Sequence, residues 1–221
     1  MTIEVANLSV TYNEEVVALN DMNLNISKED WLTILGPSGS GKTTLLNIIA
    51  GLLRDFSGSI TVEENDLAAL SEEEIQTYRR EHIGYIFQDY RLFQQYTVLE
   101  NIIMPFIPYQ QKNELIEKAL KVIDDIGLTH RKDALPGELS GGEKQRTAIA
   151  RAILNEPSII LCDEPTGNLD EKNRDNILKL LKKENDKGTT IILVTHDSQI
   201  VEWGNRTVQL RDGKLLEEVS S

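Results

Sequence analysis

The chain has 221 residues, with 36 aspartates and glutamates against 23 lysines and arginines, for a formal charge of −13. That length supports a sizeable hydrophobic core in one large domain or a domain with a subdomain, and two independent domains would be a tight fit. Hydrophobic residues at 40% and charged residues at 27% are ordinary for a soluble globular chain; the acidic excess argues against general nucleic-acid binding, and no run approaches the roughly 20 apolar residues of a membrane helix.

In chain order, the N-terminus has no basic patch followed by an apolar stretch, so no secretory signal is expected and the chain is expected to stay in the cytoplasm. Residues 3–10 form the first strand candidate. The apolar run 31–35 leads directly into Gly36, and residues 42–50 suit a helix, giving a strand, a glycine-rich turn and a helix. Residues 58–62 make another strand. Ser71 with Glu74 places a hydroxyl three residues ahead of a carboxylate, the pattern of a capped helix start. A strand at 83–87 follows. From Gln88 to about Pro136 the pattern changes to helices, with Pro105 and Pro108 breaking the run 97–104. Ser140 with Glu143 starts a further helix. Strands are expected at 158–162, 190–194 and 206–210, and only a short tail follows. Cys162 falls in an apolar run and reads as a small buried hydrophobe. The alternation predicts an α/β fold, a mainly parallel sheet with helices on both faces. Its core spans about 1–88 and 155–221, with a helical subdomain inserted at about 89–154.

Gly36-Pro37-Ser38-Gly39-Ser40-Gly41-Lys42-Thr43 fits the phosphate-loop pattern, and its place between strand and helix is right. Glycines are needed because backbone N–H groups must close on phosphate oxygens without obstruction or a penalty for positive φ. Lys42 adds a point charge for the β and γ phosphates, and Thr43 offers a hydroxyl to Mg²⁺. This motif alone leaves an NTPase, a kinase or a GTPase open. The run 158–162 ends in Asp163 and Glu164, at the strand end that faces the ligand crevice of a parallel sheet. Asp163 can hold Mg²⁺ through water, and Glu164 can orient or deprotonate the attacking water. Leu139-Ser140-Gly141-Gly142-Glu143 puts two glycines in the first turn of a helix, at a cost of about 1 kcal/mol each relative to alanine. Such a sequence implies close approach to that backbone and a second anion site, directed away from the chain's own phosphate loop.

Over nearly the whole chain these segments resemble the ABC ATPase family. Gly36 to Thr43 match its Walker A, residues 159–164 its Walker B, and Leu139 to Glu143 its signature. Gln88 looks like the Q-loop glutamine, Asn168-Leu169-Asp170 like the D-loop, and His196 like the switch histidine. Tyr12 looks like the aromatic that stacks on adenine. Singly, His196 would read as a capping or surface residue, Gln88 as a solvated loop residue and Tyr12 as a strand-edge aromatic. His82 and His130 match no motif and read as surface residues.

The resemblance implies a P-loop NTPase core with added N-terminal antiparallel strands. It implies ATP contacts from Tyr12, from Gly36 through Thr43 and from Thr44, and catalytic roles for Glu164, His196, Gln88 and Lys42. Mg²⁺ is the implied cofactor, held by Thr43, Gln88 and, through water, Asp163. Ser140, Gly141, Gly142 and Glu143 are expected to contact the ATP of a second copy of the chain in a head-to-tail homodimer. An integral membrane permease is the other implied partner, which puts the chain on the inner face of the cell membrane. Residues 83–102 and 164–170, Gly167-Asn168 above all, look like the branch of lipoprotein-releasing, macrolide-exporting and cell-division ATPases. Cys162 and Phe93-Gln94-Gln95 depart from that branch, the latter near the expected permease contact. A soluble ABC ATPase of DNA repair or translation is the alternative; a single signature, no coiled-coil insertion and the acidic charge weigh against it.

Overall fold

A computed structural model describes residues 3–13, 15–63, 65–167 and 169–219. The central element is a sheet in which β3 (Trp31–Leu35), β6 (Ile83–Ile86), β7 (Ile159–Asp163), β8 (Thr190–Thr195) and β9 (Arg206–Arg211) run parallel, in the order β9-β3-β8-β7-β6, with β10 (Lys214–Val219) antiparallel on the β9 edge. Every residue of β7 and β8 is buried, which is why both read as unbroken apolar runs rather than alternating ones. A second, antiparallel sheet has the order β2-β1-β4-β5, formed by β1 (Ile3–Tyr12), β2 (Val16–Ile26), β4 (Ser57–Val62) and β5 (Asn65–Asp66). Strands β2, β5 and β10 were not among those expected from the sequence.

One apolar core fills the space between the two sheets and α1 (Lys42–Ile49), with Leu8, Ile26, Ile34, Leu45 and Val208 among its members. The opposite face of the parallel sheet packs on α5 (Gly141–Ile153) and α6 (Glu171–Asn185) through Ile149, Ile177 and Leu181. A third core, with Ile102, Leu115, Ile123, Ala150 and Leu154, joins α3 (Val98–Ile103) and α4 (Lys112–Asp125) to α5. Helix α5 therefore has two buried faces, one on the sheet and one on the helices of the inserted segment.

Both expected helix caps form. Ser71 opens α2 (Glu72–His82) and Ser140 opens α5, each with a reciprocal capping box. Thr97 and Glu100 make a third box at α3. His82 differs from the surface residue expected. It is half-buried where α2 meets β6, with Nδ1 3.3 Å from Ser158 Oγ.

Parallel pairing brings the carboxyl ends of four strands to one edge: Leu35 pairs with Thr195, Asp163 with Val194 and Ile86 with Cys162. Gly36, Glu164, His196 and Gln88 all follow at this edge, where ligands of open parallel sheets bind.

Candidate active site

Backbone constraints shape the glycine loop. The Gly36 N–H donates to Thr195 O at 3.1 Å, tying the loop to β8. A Cβ on Gly36 would lie 2.3 Å from Leu210 O, so no larger residue fits there. Gly39 and Gly41 have φ of 80° and 102°, a region that glycine enters without a steric cost. Gly41 is the N-cap of α1 and no side chain caps that helix, nor does an acid occupy its first turn. Its leading N–H groups and positive dipole end are thus left for an anion.

Lys42 is 5% exposed, and its Nζ donates to Gly36 O at 2.8 Å and to Pro37 O at 2.9 Å. Burial pushes its pKa down, while the charges of Glu164 and Asp163 act the other way. Thr43 Oγ1 donates to Asp163 Oδ1 and Oδ2 at 3.1 and 3.0 Å. Burial raises the Asp163 pKa, opposed by the Thr43 hydrogen bond and reinforced by the Glu164 charge. Glu164 holds a left-handed φ of 46°, with its N–H bonded to Val194 O at 3.0 Å. Its carboxylate lies 3.9 Å from Lys42 Nζ and 2.7 Å from His196 Nδ1. Lysine, carboxylate and imidazole therefore form a connected row across the ends of β3, β7 and β8.

Gln88 and Tyr12 complete a cleft of about 370 Å³ shared with Ser38, Lys42, Thr43, Thr44 and Glu164. Tyr12 is 40% exposed, and its hydroxyl lies 3.4 Å from Thr44 Oγ1. Val16 and Val17, exposed beside it, extend the apolar wall. Sequence reasoning missed both because they belong to the unrecognised strand β2. Gly36, Pro37 and His196 line an adjoining hollow of about 480 Å³. Arg174 is another residue without a sequence signal: it donates to Gln199 Oε1 at 2.7 Å and lies 3.7 Å from Asp197, beside His196.

Ser140 Oγ accepts from the Glu143 N–H at 3.3 Å, and Glu143 Oε2 accepts from the Ser140 N–H at 2.8 Å. Arg131 Nε donates to the other Glu143 oxygen at 3.1 Å. Among the described residues, none from 139–143 lines the phosphate-loop cleft. The expected close approach at the paired glycines has an intrachain component: a Cβ on Gly142 would lie 2.6 Å from Asn173 Oδ1. Asp170 caps α6 by accepting from the Asn173 N–H and Nδ2, both at 2.8 Å. These bonds hold its pKa below the ordinary value. Leu169 packs on the core beneath, and Asn168 lies outside the described residues.

A family model described as "ABC transporter" matches residues 19–167, which include the glycine loop, Gln88, the Ser140 segment and both acids. The chain belongs to the ABC transporter family. This ABC ATPase is 42% identical over 214 residues to the uncharacterized ABC transporter ATP-binding protein YvrO of Bacillus subtilis, covering 95% of the chain and 93% of that protein. It is also 42% identical to the macrolide export ATP-binding/permease protein MacB of Campylobacter jejuni, over 92% of the chain but only 32% of that protein. Among solved structures, the dimeric post-hydrolysis state of the cassette MJ0796 bound to ADP and Pi matches with a TM-score of 0.90 at 37% identity, covering 99% of the chain and 98% of that structure. The ABC ATPase fold expected from the sequence is present, and the function is that of the ATP-hydrolysing subunit of an ATP-driven transporter. These relatives give no support to the repair or translation alternative.

Proposed function

We propose that the chain binds ATP with Mg²⁺ at the glycine loop, closes on a second copy of itself, and hydrolyses the nucleotide to drive a separate membrane permease. The observation that carries this reading is the incompleteness of the cleft: loop, Glu164 and Gln88 meet in one wall, while the Ser140 helix start lies elsewhere. A second copy placed head to tail would supply that missing wall, and the solved cassette MJ0796 is dimeric with ADP and Pi. Residues 89–154, with an apolar core of their own, are then the subdomain that presents the signature.

In this cycle Tyr12 faces the adenine, and the loop N–H groups with Lys42 bind the phosphates. Glu164 accepts a proton from the attacking water as the new phosphorus–oxygen bond forms and the bond to ADP breaks. His196 and Lys42 offset charge on the transferred phosphoryl group. The donor set suits Mg²⁺, which takes oxygen ligands and relies on one or two carboxylates, water and phosphate. Thr43, Gln88 and, through water, Asp163 would hold it, and it supplies neutralisation of β- and γ-phosphate charge. No helix among the described residues is long and apolar enough to cross a membrane. A permease subunit would provide the passage, as the permease part named in MacB suggests.

Glu164→Gln tests the reading. It is expected to bind ATP, to form an ATP-dependent dimer in light scattering, and to lose about 10²- to 10⁴-fold in turnover. Turnover near wild type removes Glu164 as the base, and a monomer at saturating ATP removes the composite site.

A further inference from the structure

Gln88 opens a loop with unusual backbone geometry. Tyr90 and Arg91 have φ of 62° and 45°, two successive non-glycine residues in the left-handed region. L-residues rarely hold that conformation without support from their surroundings. Part of the support is local. The Tyr90 N–H bonds Phe87 O at 3.1 Å and the Arg91 N–H bonds Asp89 O at 2.7 Å, while the Arg91 guanidinium lies 4.1 Å from the Phe87 ring centroid.

The rest comes from α5. Arg151 Nη2 donates to Tyr90 O and Nη1 donates to Arg91 O, each at 2.6 Å. A planar fork on two successive carbonyls is a geometry that lysine cannot reproduce. Arg151 has no carboxylate partner among the described residues, so its charge is directed at the loop. The loop also places the like charge of Arg91 near it. Along α5, Arg151 is about three turns from Ser140. The two residues share one helix held on both faces. With Arg80, Tyr85 and Tyr109, Arg151 also lines a cleft of about 380 Å³.

We infer that Arg151 is a positioning residue that joins the Gln88 loop to α5, so that displacement at either is delivered to the other and to Ser140 and Gly142. Arg151 does not line the phosphate-loop cleft; it acts through the Gln88 loop at one end and α5 at the other. The inference rests on the roles proposed above for Gln88 and Ser140.

A double-mutant cycle tests it. Arg151→Lys is expected to lower kcat about 10-fold, with ATP affinity of the isolated chain within about twofold of wild type. Gln88→Ala is expected to lower kcat further, and the double variant to be no slower than Gln88→Ala alone within about threefold, because residues acting as one unit are not additive. Hydrogen exchange should quicken at residues 88–92 in Arg151→Lys and stay unchanged at residues 36–43. Arg151→Gln replaces the lysine variant if that one does not fold. Losses that multiply, or an unaltered kcat in Arg151→Lys, overturn the inference and leave the reading of Gln88 standing. Wild-type turnover in Gln88→Ala overturns that reading and the inference together.

Discussion

Replacing Gly84 with alanine sets a methyl group 2.6 Å from the carbonyl oxygen of Ala152 and 2.9 Å from Pro157 Cγ. Ordinary contact starts near 3.4 Å, so α5 and β6 must separate by the better part of an ångström. Neither obstacle yields easily, since one is helix backbone and the other a proline ring. The cost belongs at the upper end of the roughly 1–3 kcal/mol of overpacking. Lower entropy of the unfolded chain offsets about 0.4–1 kcal/mol of it. The net loss is about 2 kcal/mol, or about 4–8 °C in Tm for a chain of this size. Gly137 gives an internal control. Its Cβ would meet nothing within 4 Å, and its φ is not positive. Gly137→Ala should therefore raise Tm by about 1–4 °C through the unfolded-state term alone. Thermal melts of the two variants side by side make the comparison. A Gly84→Ala chain that melts at or above wild type, or a Gly137→Ala chain that melts below it, refutes the packing argument.

Two further outcomes bear on α5 and its capped start. The Ser140 backbone N–H, followed by the Ser140 hydroxyl and Arg131, holds the Glu143 carboxyl below its ordinary 4.5. A depressed pKa contributes stability that is complete above 4.5 and lost as pH falls through the folded value. Glu143→Gln retains a side chain able to close the capping box, so its deficit relative to wild type should shrink on acidification; a deficit constant in melts from about pH 7 to about pH 3 contradicts the assignment. Gly142→Asp should leave ATP affinity of the isolated chain intact while abolishing turnover, because its carboxylate would face the nucleotide of the second copy. Gly142→Ala in an Asn173→Ala background separates charge from the contact with Asn173, and turnover retained in Gly142→Asp would count against the composite site.

Much of the candidate site's geometry was legible because its residues are contiguous in sequence. The glycine loop, the acids after β7 and the capped start of α5 each need only neighbours in sequence. β7 and β8 were readable as apolar runs because both of their faces are covered. β2 was not, since its polar positions and the left-handed Asp21, with φ of 50°, interrupt any simple alternation. The turn before β10 carries Asp212-Gly213 with φ of 49° and 74°, a pattern suited to tight hairpins. The strand after it, KLLEEV, groups its apolar and charged residues in blocks rather than alternating them. Thr97 and Glu100 repeat the spacing of the other two capping boxes and could have been read in the same way. Arg151 and Asn173 could not. Arg151 reaches carbonyls 60 and 61 residues away, and such a partnership exists only once α5 is seated on the sheet.

Cys162 lies fully buried in β7, and burial pushes its thiol far above the ordinary cysteine range. Thiol reagents attack exposed thiolates, so they should pass over the one native cysteine while the fold is intact. The natural background is therefore already silent for site-directed labelling. Cysteines placed at the exposed Lys118 on α4 and Lys172 on α6 would carry a donor and an acceptor dye without any prior substitution. Their separation would report directly whether the helical segment moves against the sheet when nucleotide is added.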